Sequence, residues 1–258
     1  MFISTNELEK IHKDNSVLIL DARSYKDYSK GHIPSAVNLD LFSFHWVDTS
    51  QKGLVSFGEH MRKILSYAGI DENKKIIFYD DTSGMLAARG VWMCLYYSHP
   101  DVQMLDGGIS KWAKENFPTE IESTIYKPSK LTTPIDPSII IGFEELNEKI
   151  GKITIIDARS IDEFNGTIPR AARGGHIPTA KNIDWNNNLD NSGKIKSDEE
   201  LESLYQIDKD SPIVTYCQGA YRAANSYLSL KKLGFKNVKV YLGSWGEWGN
   251  NLELPIEK

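Results

Sequence analysis

At 258 residues, 40% hydrophobic and 25% charged, the chain has a globular composition, with apolar material for one large domain or two small ones. A formal net charge of −5 and the lack of a clustered Lys/Arg tract argue against a nucleic-acid partner, and no apolar run approaches the roughly 18 residues that a membrane span needs. Two cysteines, Cys94 and Cys217, are too few for a disulfide framework, and the histidines show no paired ligand spacing, so neither metal nor cofactor is expected. The opening MFISTNELEK has neither the basic nor the apolar region of a secretory signal, and a cytoplasmic location is the expectation.

Taken in order, the elements occur twice. A short apolar run, Val17–Leu20, leads into the turn Asp21-Ala22-Arg23-Ser24 and then Gly31-His32-Ile33-Pro34. A helical segment (Met61–Ala68), a second apolar run (Ile76–Tyr79), a helix (Met85–Tyr96) and a third run (Val102–Leu105) follow. The second pass has runs at Ile153–Ile156, Ile213–Tyr216 and Val238–Leu242, with helices over Leu201–Tyr205 and Ala223–Leu233. The Asp-Ala-Arg-Ser turn recurs 136 positions on at Asp157, and Gly-His-Ile-Pro recurs 144 positions on at Gly175. KKIIFYDD matches SPIVTYCQ at an offset of 137, and VQMLDGGISKW matches VKVYLGSWGEW at 136. Eight extra residues of the second copy lie around NGTIPRAARG. Four blocks in one order at a nearly constant offset indicate a duplicated domain. The copies are expected over residues 1–122 and 139–258, with 123–138 as an extended linker whose YKPSKLTTPIDPS holds three prolines. Runs of four or five apolar residues alternating with helices predict an α/β fold, each copy an open parallel sheet flanked by helices.

In such sheets, ligands bind beyond the carboxyl ends of the strands. In the second copy that position holds Cys217-Gln218-Gly219-Ala220-Tyr221-Arg222 at the start of a helix; in the first it holds Asp80-Asp81-Thr82-Ser83-Gly84-Met85. The unpaired N–H groups of the helix start, together with the Arg222 charge, are expected to favour a thiolate at Cys217. Gly219 is expected to provide the tight curl of the loop. Cys94, within VWMCLYY, reads as a small core residue. Arg159, after the matching strand, and Arg170 and Arg173, in the insertion, are further cations for an anionic substrate. Arg23 occupies the place of Arg159 in the first copy, so bracing the turn is the other reading of that residue. His176, twin to His32, reads as a turn residue. Trp245 replaces Ile109 and is either pocket lining or packing.

The two Asp-Ala-Arg turns, the two Gly-His-Ile-Pro motifs, the Cys217 loop and the Gly-Ser-Trp segment at 243–245 together resemble the tandem-domain rhodaneses, the thiosulfate/3-mercaptopyruvate sulfurtransferase family, over nearly the whole chain. The resemblance implies two rhodanese-like domains, the first inert and the second catalytic. Cys217 would take a sulfane sulfur from a donor such as thiosulfate and pass it as a persulfide to cyanide or a thiol. Substrate contacts are expected from Gln218, Gly219, Ala220, Tyr221, Arg222, Arg159 and Arg173. The partners implied are a small-molecule sulfur donor and acceptor, with a protein acceptor as a further option. The loop matches neither Cys-Arg-Lys-Gly-Val-Thr of thiosulfate enzymes nor Cys-Gly-Ser-Gly-Val-Thr of mercaptopyruvate enzymes, and Glu163 stands where many members carry a second arginine. A 3-mercaptopyruvate donor and a persulfide carrier with little small-molecule turnover therefore stay open as alternatives. Phosphatases of related fold place five residues between Cys and Arg; here there are four, a loop that suits sulfur better than phosphate.

Overall fold

The computed structural model describes residues 1–258 and falls into two compact units. The first comprises residues 1–44, 58–136 and 189–195; the second comprises 45–57, 137–188 and 196–258. Each unit thus includes a short segment encoded in the opposite sequence repeat.

The first unit is built on a five-stranded parallel sheet of β1 (Phe2–Ile3), β2 (Val17–Asp21), β3 (Val37–Asn38), β4 (Lys75–Tyr79) and β5 (Val102–Leu105), in the order β1-β5-β4-β2-β3. Its helices are α1 (Thr5–Ile11), α2 (Tyr25–Tyr28), α3 (Gln51–Tyr67, whose first turns cluster with the second unit), α4 (Met85–Tyr96) and α5 (Gly108–Lys114). Ser4 opens α1 with a reciprocal cap to Glu7. Ile19, Ile77, Tyr79, Leu105 and Trp112 form the buried heart of one core cluster. The stretch 126–133 is extended but docked on α3: Ser129 N donates to the Ser66 carbonyl (2.8 Å), and the Arg62 guanidinium donates to the carbonyls of Leu131 and Thr133.

The second unit repeats the topology with β6 (Ile140–Ile141), β7 (Thr154–Asp157), β8 (Lys181–Asn182), β9 (Ile213–Tyr216) and β10 (Val238–Tyr241), in the order β6-β10-β9-β7-β8 and again all parallel. Its helices are α6 (Phe143–Glu148), α7 (Ile161–Phe164), α8 (Asp198–Tyr205), α9 (Tyr221–Lys232) and α10 (Ser244–Trp248). Its central strand β9 is buried at every position, as a strand covered on both faces must be. No helix is long and apolar enough to cross a membrane.

The Asp-Ala-Arg turns serve the same purpose in both units. Arg159 donates from Nε and Nη2 to Asp157 (2.5–3.0 Å) and from Nη2 to the Gly175 carbonyl (2.8 Å). Arg23 does the same with Asp21 and Gly31. Asn182 and Asn38 bridge the two carbonyls of each turn. Both aspartates are fully buried, and a buried carboxylate is tolerable only when its lone pairs are filled in this way. His176 and His32 each stack on an aromatic ring, Phe164 and Tyr28, and hydrogen-bond that residue's carbonyl through Nδ1, as turn residues.

Candidate active site

In the second unit, β9 ends at Tyr216 and α9 starts at Tyr221, so the loop Cys217–Ala220 sits at the carboxyl edge of the central strand. The curl of this loop is made by Ala220, which is left-handed at φ 67°. This corrects the role expected of Gly219, which has no positive φ. A methyl group on Gly219 would overlap the His45 ring, so that glycine is there for close packing. His45, in the 45–57 segment of this unit, also stacks on Tyr221 with ring centroids 6.1 Å apart. That segment is fastened by Glu247, which accepts from Thr49 N (2.6 Å) and from Tyr241 Oη (2.7 Å).

Below the loop, α10 presents its first groups. Ser244 Oγ accepts from the N–H groups of Cys217 (3.2 Å) and Ala220 (3.0 Å) and donates to the Tyr241 carbonyl (2.9 Å). Trp245 N and Gly246 N donate to the carbonyls of Cys217 and Gln218, both at 2.9 Å. Ser244 has φ 52°, and its counterpart in the first unit, Gly108, has φ +58°. A side chain at Gly108 would come within 2.5 Å of the Asp80 and Thr82 backbone. In the second unit a serine is kept at this strained angle, where its hydroxyl ties the cysteine loop together; strain of this kind concentrates at functional sites. The Gly108-to-Ser244 exchange lies within the aligned repeats, but only the geometry gives it a meaning.

Cys217 is 1% exposed. The residue capping α9, Ala220, contributes no side-chain acceptor, which leaves the N–H groups of the first turn to an anion at the loop centre. The first unit shows what such a loop does with an anion. There the Asp80 carboxylate accepts from the N–H groups of Thr82, Gly84, Leu86 and Ala87 at 3.0–3.2 Å. Burial lifts Asp80 to about 6, against the pull of those four donors. The first loop therefore binds its own side chain where the second offers a thiol. Cys94 lies in the interior of α4, fully buried, and burial pushes its thiol well up.

Arg222 is paired with Glu163. Its Nη1 and Nη2 donate to Glu163 Oε2 (2.6 Å) and Oε1 (2.9 Å), and Cys217 is the other group whose charge acts on it. Burial alone would lower its affinity for the proton, but Glu163 and Cys217 outweigh that and raise it above the ordinary arginine value. Burial likewise opposes ionisation of Glu163, yet the Arg222 hydrogen bonds and charge take it down to about 2. Arg170 approaches the same carboxylate at 3.6 Å, with its side chain 54% exposed. Gln218 Nε2 donates to the Arg170 carbonyl (3.0 Å), and its Oε1 is buried without a partner.

The structure thus brings Gln218, Gly219, Ala220, Tyr221 and Arg222 together around Cys217. The other two expected donor ligands are committed elsewhere. The Arg159 guanidinium is 1% exposed, locked to Asp157, and lies over the Trp245 ring at 4.5 Å. Arg173 donates to the carbonyls of Trp248, Asn251 and Leu254, closing the end of α10. Trp245 is fully buried and packs in the core cluster of the second unit. His45, Ser244 and the pairing of Glu163 were not legible as site features. No group of three or more His, Cys, Asp or Glu is arranged to hold a metal ion.

The chain belongs to the rhodanese family: residues 4–115 and 143–251 each match the rhodanese-like domain. It is 34% identical to the sulfur carrier protein TtuD of Thermus thermophilus, across 100% of this chain and 96% of that protein. It is 30% identical to the thiosulfate sulfurtransferase of Pseudomonas aeruginosa, across 93% of this chain and 91% of that protein. The crystal structure of SseA from Escherichia coli, described as a 3-mercaptopyruvate sulfotransferase, superposes with a TM-score of 0.80 at 26% identity, covering 95% of this chain and 98% of the other.

Proposed function

We propose that the protein is a sulfurtransferase that moves a sulfane sulfur from thiosulfate or a related donor to cyanide or a thiol through a persulfide on Cys217. The observation that carries this reading is the thiol at the start of α9, in a loop tied by Ser244 and followed by Arg222. The thiolate attacks the outer sulfur of the donor, and the remainder leaves with the bonding electrons. A thiolate acceptor then removes the outer sulfur and regenerates Cys217. Two half-reactions on one enzyme nucleophile give ping-pong kinetics. The N–H groups of the loop face negative charge in both states, on Cys217 Sγ in the thiolate and on the outer sulfur, one S–S bond further out, in the persulfide.

A second reading, a carrier that delivers its persulfide to a protein, is supported by the full-length similarity to TtuD. Turnover distinguishes the two. Thiosulfate with cyanide, and 3-mercaptopyruvate with a small thiol, should sustain many turnovers by an enzyme. A carrier loads once and stalls until its protein acceptor is supplied. Loss of all loading in Cys217→Ser, with Cys94→Ser still active, is expected under both; loading of Cys217→Ser would refute both.

A further inference from the structure

We propose that Glu163 selects the sulfur donor: by occupying Arg222 it favours an organic persulfide over the thiosulfate dianion. The inference rests on Cys217 being the sulfur-bearing nucleophile and specifies which donor class that site takes.

The argument starts from the charges around the sulfur. Arg222 follows the Cys217 loop at the start of α9, and its charge acts on Cys217. Both of its terminal nitrogens are already donated to Glu163, whose side chain is 8% exposed. Glu163 is itself held in place by Ser160, whose N–H (3.3 Å) and hydroxyl (3.2 Å) both donate to Oε2. A guanidinium recognises a sulfonate through paired N–H groups; the end-on pair of Arg222 is taken by Glu163, and the charge that the remaining N–H groups offer is already neutralised by that carboxylate. Arg170 adds a second positive charge, but its side chain is 54% exposed and it faces the same carboxylate. With the thiolate, Arg222, Glu163 and Arg170 counted together, the charges cancel. A dianion arriving there has no net positive charge to meet, and it must approach a negative sulfur.

Comparison of the two units ties this pair to the thiol. In the first unit, the position of Arg222 is Met85 and that of Glu163 is Asp27. Asp27 is half-exposed and pairs with exposed Lys30. At these two positions the buried carboxylate–guanidinium pair occurs in the unit that carries Cys217 and not in the other.

An organic persulfide has no such charge mismatch. The Cys217 thiolate attacks the outer sulfur of R–S–SH. A Cys217–S–SH bond forms, the donor S–S bond breaks, and R–S⁻ leaves with the electron pair; charge and atoms balance without an external oxidant. The same step with thiosulfate brings a 2− donor and releases sulfite.

Glu163 touches no substrate, so it is a positioning residue acting through Arg222, and the test must read donor choice rather than activity alone. Single-turnover loading of Cys217 is followed by intact mass with thiosulfate and with an alkyl persulfide lacking a carboxylate. Wild type, E163Q and E163D are compared, each checked for folding by its melting curve. Glutamine can still cap α7 from this position, and aspartate draws the carboxylate back from the fork. Removing one negative charge a few ångströms from the incoming sulfonate should raise the thiosulfate-to-persulfide rate ratio about tenfold in E163Q, with a smaller rise in E163D. Added salt should shrink the E163Q gain. A ratio unchanged in the folded variants overturns the role of Glu163 while leaving Cys217 chemistry intact. A wild-type protein loaded by neither donor overturns both.

Discussion

Replacing Arg222 by alanine should reveal the Glu163 pair as a structural commitment as well as a chemical one. In the native fold, two charged hydrogen bonds of 2.6 and 2.9 Å join side chains that are 14% and 8% exposed. Deleting the guanidinium strands a carboxylate in a site with little water. Breaking a buried pair from one side costs about 3–5 kcal/mol, and the residual exposure places this case near the lower end, about 3 kcal/mol. At about 2–4 °C per kcal/mol for a protein of this size, the melting midpoint at pH 7 should fall by about 6–12 °C. The double variant R222M/E163Q, which removes both charges and borrows the methionine found at position 85, should recover most of that loss. The pair holds Glu163 at about 2, below its ordinary value of 4.5. Its contribution is therefore complete above pH 4.5 and disappears as pH falls toward 2, so the melting curves of wild type and Arg222→Ala should converge over that window. An Arg222→Ala protein that melts with wild type at pH 7, or a double variant as unstable as the single one, would refute the reasoning.

Three further outcomes follow from the same geometry. Asp80 binds its proton more tightly folded than unfolded, at about 6 against 3.8, so its contribution is present below pH 3.8 and lost as pH rises through 6. Asp80→Asn should remove a downward drift of about 3 kcal/mol across that interval in denaturant titrations; an identical pH profile would contradict the burial of that carboxyl. Gly219→Ala forces a methyl into the His45 ring and should cost about 1–3 kcal/mol together with most sulfur transfer, whereas an active, equally stable variant would show that His45 does not pack there. Ser244→Ala leaves the N–H groups of Cys217 and Ala220 without their acceptor and should lose about 1–3 kcal/mol and slow Cys217 loading; an unchanged loading rate in stopped-flow measurements would remove Ser244 from the site.

Much of this was written into the sequence, and the reason differs between elements. Repetition exposed the duplication, because Asp21 and Asp157 head identical turns and Gly31 and Gly175 head identical motifs in the same order, with the second spacing longer by the eight inserted residues. The central strands β2, β4, β7 and β9 were legible because strands buried on both faces are unbroken apolar runs. The edge strands β1, β3, β6 and β8 were not, since two residues carry no period. Helix α3 begins at Gln51, ten residues before the readable stretch at Met61, because Gly53 and Gly58 interrupt the pattern; a Cβ at Gly58 would stand 3.3 Å from the Tyr96 hydroxyl. The segments 45–57 and 189–195 each cluster with the unit of the other repeat, a long-range choice that local composition does not encode. For the site, Cys217 was found by its place between strand and helix. The partner of Arg222 was not, because 59 residues separate it from Glu163 and a carboxylate at a helix start reads first as a cap. Arg159 and Arg173 show the converse: an arginine near a site in sequence is drawn to the carbonyls and carboxylates that the fold leaves unfilled.

The central claim is that Cys217 carries the sulfur, and the intact mass of the protein after brief exposure to a sulfane-sulfur donor and removal of excess reagent tests it most directly. Wild type and Cys94→Ser are predicted to gain the mass of one sulfur atom, which cyanide then removes as thiocyanate in equal amount, while Cys217→Ser gains none. A wild-type protein that no donor loads, or a Cys217→Ser protein that still takes up cyanide-labile sulfur, would contradict the account.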